Sequence, residues 1–141
     1  MRTIVLAATT MEEIVQHARD EAPNECCGIL LGKGETVAEV HRTRNIKASP
    51  VEYELDPKEQ VEVLHKADQA GLDVLGFYHS HTFSEAYPSI TDISKMSDWG
   101  YYYLIASLAN NAAPVVRAFW FLGREIEDTE SRVEEVRVKP S

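Results

Sequence analysis

Cysteine is almost absent from this chain, and its only two, Cys26 and Cys27, are adjacent. Neighbouring residues on a strand face opposite ways, so a bond between them is not expected, and no third cysteine exists to pair with either. That excludes a secreted disulfide framework. The C-x2-C spacing of a structural zinc knuckle is also missing. Both cysteines read as small buried apolar residues, and a reducing cytoplasm is the expected compartment.

Long hydrophobic runs are missing too. None approaches the length needed to span a bilayer, so no membrane partner is expected. The stretch from Met1 to Ala7 has one basic residue and a very short apolar run, with Glu12 and Glu13 close behind, which is not the pattern of a signal peptide. Positive charge is scarce: 14 Lys and Arg stand against 23 Asp and Glu, a net charge of -9. A nucleic-acid partner would need a basic face, so none is expected. Arg42, Arg44 and Lys47 are close in sequence but read as a solvated loop. Gly32-Lys33-Gly34 lacks the rest of a phosphate-binding loop and reads as a hairpin turn. There is no internal repeat, low-complexity tract or linker, and 141 residues suit one domain, 1–141.

The chain divides readily into elements. Residues 2–7 read as a strand, and Thr10 with Glu13 reads as a capping box opening a helix. Met11, Ile14, Val15 and Ala18 give that helix an apolar face, and Pro23-Asn24 ends it. Residues 26–32 are a buried strand and 36–43 its return partner. Asp56-Pro57 starts a second helix, which Gly71 ends. Leu72 to Tyr78 is nearly all apolar, as in a central strand covered on both faces. A short helix should begin near Ser89 and run to about Trp99. Residues 101–108 and 115–122 are further strands. The Glu-rich stretch 124–139 reads as an edge hairpin or a frayed tail. The order β-α-β-β-α-β-α-β-β predicts an α/β fold, a mixed sheet flanked by helices.

The stretch His79-Ser80-His81, followed by Ser89 and Asp92, carries the chemistry. Residues i and i+2 of a strand point to one side, so His79 and His81 share a face. Asp92 can return to them after one loop. Two nitrogens and one oxygen leave one position of a tetrahedral zinc open, the pattern of a catalytic site. Spacing alone leaves two bland alternatives standing. Histidines at a strand end can be structural, and Ser89-x2-Asp92 is also a helix capping box. Glu25, at the mouth of the 26–31 run, is either a solvated glutamate or a carboxylate held beside the metal. His17, His41 and His65 lack partners at ligand spacing; His17 and His65 read as surface or boundary residues of their helices.

Glu25, His79-Ser80-His81, Ser89 and Asp92 together resemble the JAMM (MPN+) zinc metallopeptidases, over nearly the whole chain. The resemblance implies a three-layer, cytidine-deaminase-like architecture. It implies one zinc held by His79, His81 and Asp92, with Glu25 activating the zinc-bound water and Ser89 steadying the tetrahedral intermediate. The bare length is similar to the small prokaryotic members. That implies a ubiquitin-fold partner ending in Gly-Gly, cut to release an amino acid such as cysteine from a sulfur carrier, or a modifier from lysine. A strand edge near the site is expected to hold that tail. The rival class is a non-catalytic zinc-containing module for such tails, which would have no need of Glu25. Thr82 stands where the family often has proline, and it is expected to loosen the loop that follows.

Overall fold

Across residues 2–141, which the computed structural model describes, the elements are β1 (Thr3–Leu6), α1 (Ala8–Glu21), β2 (Cys27–Lys33), β3 (Thr36–Thr43), α2 (Pro57–Ala70), β4 (Asp73–His81), α3 (Ile90–Ser94), β5 (Tyr102–Ser107), β6 (Val115–Phe121) and β7 (Val133–Pro140). A 3-10 turn at Thr129–Arg132 precedes β7. The order is the expected one with a strand added at the end.

That last strand is a correction. Residues 133–140 are neither a frayed tail nor a free edge hairpin: β7 pairs antiparallel with β6 and parallel with β1. The sheet therefore closes, in the order β1-β3-β2-β4-β5-β6-β7. The closing β1–β3 seam is a single pair, Val5 with Thr36. Val133 and Val136 explain the pairing. They are buried while Glu134 and Glu135 are exposed, and, three residues apart, they anchor opposite faces of the strand: Val133 packs with Tyr103 and Phe121, Val136 in the cluster around α1.

The closed sheet wraps one side around α1. Ile4, Leu30, Tyr78, Leu104, Ala118 and Val136 share a buried cluster with Ile14 and Ala18 of α1. On the opposite face of β2, Ile29 and Leu31 pack on Val63 and Ala67 of α2. Each fully buried Leu or Ile contributes roughly 1.5–3 kcal/mol, enough to fix the register of β2 and β4 between the two helices.

The helix boundaries separate local signals from tertiary ones. At α2 the sequence signals hold: Asp56 Oδ1 accepts from Lys58 N at 2.9 Å, Pro57 opens the helix, and Gly71 ends it at φ 66°. At α1 they do not. The helix starts at Ala8 with Ala7 as its cap and no side-chain cap bond, and Thr10 is buried within it. Because β1 ends at Leu6, the chain turns directly into the helix, and packing of Thr10, Ile14, His17 and Ala18 sets its face. His17 is thus a core residue, 2% exposed, rather than a surface one. Helix α3 is also shorter than expected, stopping at Ser94. Ser94 Oγ donates to the Thr91 carbonyl at 2.6 Å, and the Arg124 guanidinium donates to the carbonyls of Ser94 and Met96. Those bonds satisfy carbonyls at its end that a longer helix would have used.

Candidate functional site

The site is built where β4 ends and β2 begins. The two strands are antiparallel, with Cys27 opposite His79. Ser80 N donates to the Cys26 carbonyl at 3.2 Å, and Cys26 N donates to Ser80 Oγ at 2.8 Å. Continuing that register sets Glu25 beside His81. The 54-residue gap between Glu25 and His79 is closed by strand pairing, which sequence spacing alone cannot reveal.

Asp92 arrives from α3. Ser89 caps this helix: its Oγ accepts from Asp92 N at 3.0 Å, and Asp92 Oδ2 accepts from Ser89 N at 3.0 Å. The capping box is real, and it also aims the carboxylate. Asp92 Oδ2 lies 3.0 Å from His79 Nε2 and 2.9 Å from His81 Nε2, and the two Nε2 atoms are 3.3 Å apart. His79, His81 and Asp92 are 1%, 4% and 4% exposed.

The spacing of these atoms suits a metal ion. Tetrahedral donors at zinc bond lengths of about 2.0–2.1 Å are roughly 3.3 Å apart, close to the spacing seen here. Two imidazole nitrogens and a carboxylate oxygen form a donor set suited to zinc, and their ligand atoms all lie within 4.8 Å of one another. A second observation agrees. Glu25 is 4% exposed, and its Oε1 is buried without any hydrogen-bond partner. Such a group is costly unless something at the site meets it.

Charge follows the same layout. Burial pushes the Glu25 carboxyl up to about 8, with His81 pulling it down and Asp92 pushing it up. Burial would also raise Asp92, but hydrogen bonds from His79 and His81 overcome it and hold this carboxyl far below the usual range. Burial lowers His79, against the opposing pull of Asp92. For His81 burial is outweighed by Asp92 and by the Glu85 carbonyl, and the ring is raised. His81 Nδ1 donates to that carbonyl at 2.8 Å, which leaves Nε2 as the nitrogen facing the cluster.

Glu25, His81 and Ser89 line one cleft of about 300 Å³ with Pro50, Val51, Thr82, Phe83 and Ser84. Ser89 Oγ, having accepted from Asp92 N, keeps its own proton to donate into the cleft. Val51 and Phe83 are each 74% exposed at its rim. One expectation needs correction here. Thr82 does not leave its loop loose: its Oγ1 donates to the Pro23 carbonyl at 3.0 Å, tying the loop to the segment leading into Glu25. The strands leading to Glu25 and the histidines are themselves interior, β2 paired with β3 and β4, and β4 with β2 and β5, while β3 meets β1 only at Thr36.

Sequence reasoning missed Tyr53. Its ring stacks on His79, with centroids 4.2 Å apart and planes at 20°. It also missed Asn45 and Lys95, which hold the segment carrying Tyr53. Asn45 Nδ2 donates to the carbonyls of Glu25 and Glu52, both at 3.0 Å. Lys95 Nζ donates to Glu52 Oε1 and the Tyr53 carbonyl, both at 3.1 Å. A single Tyr, Asn or Lys in a loop carries no spacing signal.

A mixed sheet with helices on both faces, presenting a buried N, N, O triad beside an unpaired carboxylate, defines a metallohydrolase domain of the JAMM type. The comparisons agree. The model for prokaryotic homologues of the JAB domain matches residues 7–122, and the chain belongs to that family. It is 46% identical over 109 residues to a desampylase of Haloferax volcanii, covering 72% of this chain and 78% of that one. It is 37% identical over 106 residues to the CysO-cysteine peptidase of Mycobacterium tuberculosis, covering 74% and 73%. A solution structure from Desulfitobacterium hafniense matches 98% of this chain and 92% of its own, at 33% identity and a TM-score of 0.85. Among the described residues no helix is long and apolar enough to cross a membrane.

Proposed function

We propose that this protein is a zinc-dependent peptidase that hydrolyses the bond after the C-terminal Gly-Gly of a ubiquitin-fold partner. The released group is an amino acid such as cysteine, or a lysine on a conjugated protein. The observation that carries this reading is the convergence of His79 Nε2, His81 Nε2 and Asp92 Oδ2 beside the unpartnered Oε1 of Glu25. The relatives named desampylase and CysO-cysteine peptidase support the partner class.

His79, His81 and Asp92 hold the ion, and Asp92 keeps its negative charge because its carboxyl is held so low. Zinc, when bound, supplies a Lewis acid and a water acidic enough to ionise near pH 7. Glu25 takes a proton on its carboxylate and passes it to the leaving amine; a carboxyl raised toward neutrality suits both transfers. Ser89 Oγ donates to the oxygen that becomes negative, a contact worth roughly 3–4 kcal/mol where comparable donors are removed. The tail is held by the cleft walls. Glycines at its end present no Cβ to Glu25, Val51 or Phe83.

The test is zinc content and turnover on a ubiquitin-like protein fused through Gly-Gly, for the wild type and Glu25→Gln. The variant should keep near-stoichiometric zinc and lose roughly 10³-fold in turnover. Full turnover in Glu25→Gln would remove Glu25 from the mechanism. Zinc and tail binding without any turnover in the wild type would mark a binding module instead.

A further inference from the structure

The two histidines of the site are oriented by different means. His81 is fixed through a hydrogen bond, from Nδ1 to the Glu85 carbonyl at 2.8 Å. His79 is fixed through its ring face, against Tyr53 at 4.2 Å. Tyr53 is not part of a regular element; it lies in the segment between β3 and α2. Its side chain is 8% exposed and borders a cleft of about 410 Å³ lined by Phe77, Trp99, Tyr101 and Tyr103. The segment that carries the ring is anchored at both ends. At one end Asn45 bridges the carbonyls of Glu25 and Glu52, and Glu25 N donates to the Ser49 carbonyl at 2.9 Å. At the other, Lys95, the residue capping the helix that carries Asp92, donates to Glu52 and to the Tyr53 carbonyl.

We propose that Tyr53 is a positioning residue for His79, clamped by Lys95, and that this clamp slows loss of the metal from the triad. The proposal rests on the reading of His79, His81 and Asp92 as zinc ligands. The stack restricts rotation of the imidazole about its own bonds, so Nε2 stays aimed at Asp92 Oδ2. Because Lys95 ties Tyr53 to the helix that presents Asp92, two of the three donors move as one body. Partners that orient a metal-bound histidine commonly change metal affinity or activity by roughly 10- to 100-fold when removed.

The experiment loads the full chain with zinc and follows its transfer to a chromophoric chelator in excess. Tyr53→Leu should release zinc about tenfold faster than the wild type, and Tyr53→Phe, which keeps the ring, within about twofold of it. Lys95→Met should release zinc about three- to fivefold faster and Lys95→Arg close to the wild-type rate, the milder effect reflecting an ammonium partly open to solvent. Wild-type release rates in both Tyr53→Leu and Lys95→Met would overturn the clamp, even if Tyr53→Leu melts at a lower temperature. Should Tyr53→Leu fail to fold, the Lys95 pair decides alone. Wild-type protein that takes up no zinc would be a different failure, that of the metal site itself, and it would take the clamp with it.

Discussion

Two consecutive residues of β4, Tyr78 and His79, face opposite sides of the sheet, and each meets a buried histidine in a different setting. Tyr78 points toward α1, where its hydroxyl is hydrogen-bonded to His17 Nδ1 at 2.7 Å. A Cβ at Gly28 would overlap the Tyr78 ring, so glycine is what lets that ring cross β2. His79 points the other way, toward His81 and Asp92. Burial is similar on both sides, at 2% exposure for His17 and 1% for His79. The partners differ: a neutral phenol on one side, an ionised carboxylate and a second imidazole on the other. Burial of a histidine therefore says little about its role. The acidic partner and the convergence of donors separate a metal-type cluster from a core residue.

The strongest way to break the comparison is to remove the carboxylate. Asp92→Ala leaves His79 and His81 as a pair of buried imidazoles, chemically closer to His17. The variant should retain the fold and lose nearly all bound zinc, with turnover below detection. Metal analysis beside circular dichroism checks this; near-stoichiometric zinc in Asp92→Ala would show that the carboxylate is not a ligand.

The next effect sharpens the other side. Burial, with Arg42 adding to it, lowers the His17 ring to about 4. An unfolded histidine binds its proton near pH 6.5, so between about pH 6.5 and 4 the unfolded state binds more protons than the native one. Stability from this group is full above pH 6.5 and is lost as pH falls through that window, by on the order of 2–3 kcal/mol. His17→Leu should flatten that part of the stability curve, measured as the difference from wild type in denaturant melts across pH. It should also cost roughly 1–3 kcal/mol at pH 7, since the Tyr78 hydroxyl loses its partner. Parallel curves for the two proteins would refute a neutral buried His17.

Glu25 titrates with the opposite sign. Its carboxyl is raised to about 8 by burial, so from about pH 4.5 to 8 the unfolded state releases a proton that the native state keeps. Stability falls as pH rises through that window. In metal-free protein Glu25→Gln should therefore melt at a higher temperature than the wild type at pH 8, and the gap should shrink toward pH 5. An equal gap at both pH values would mean that the Glu25 carboxyl is not perturbed.

These contrasts also explain which parts of the molecule the sequence made legible. His79-x-His81, Ser89-x2-Asp92 and the caps of α2 lie within one turn, or one strand and one loop, so local periodicity determines their geometry. Glu25 depends on antiparallel register between β2 and β4, so its place at the mouth of the 26–31 run left two readings open until the family resemblance favoured one. The burial of His17 depends on which face of α1 the sheet wraps, which overrides a good capping box at Thr10. In β7 the two buried anchors, Val133 and Val136, are three residues apart and face opposite sides, so they show no strand period, and six acidic residues lie across 125–135. Tyr53 was invisible because its role comes from an irregular segment with no period to read.

Thr82 offers the smallest and most local test. A proline here would restrict the backbone directly, whereas threonine ties the same loop to Pro23 through one hydroxyl, two residues ahead of Glu25. The bond is partly exposed, so losing it should cost about 0.5–1 kcal/mol. Thr82→Val keeps the shape and removes the donor. It should leave zinc content unchanged, since none of the three donors touches the tether. Turnover should fall about two- to threefold, because the cleft wall carrying Phe83 is then freer relative to Glu25. Thr82→Pro should recover most of that loss if restricting the loop is what matters. If Thr82→Val turns over like the wild type, the tether is incidental, and the loop is held by its other contacts, such as the Ser107 hydroxyl donating to the Ser84 carbonyl at 2.6 Å.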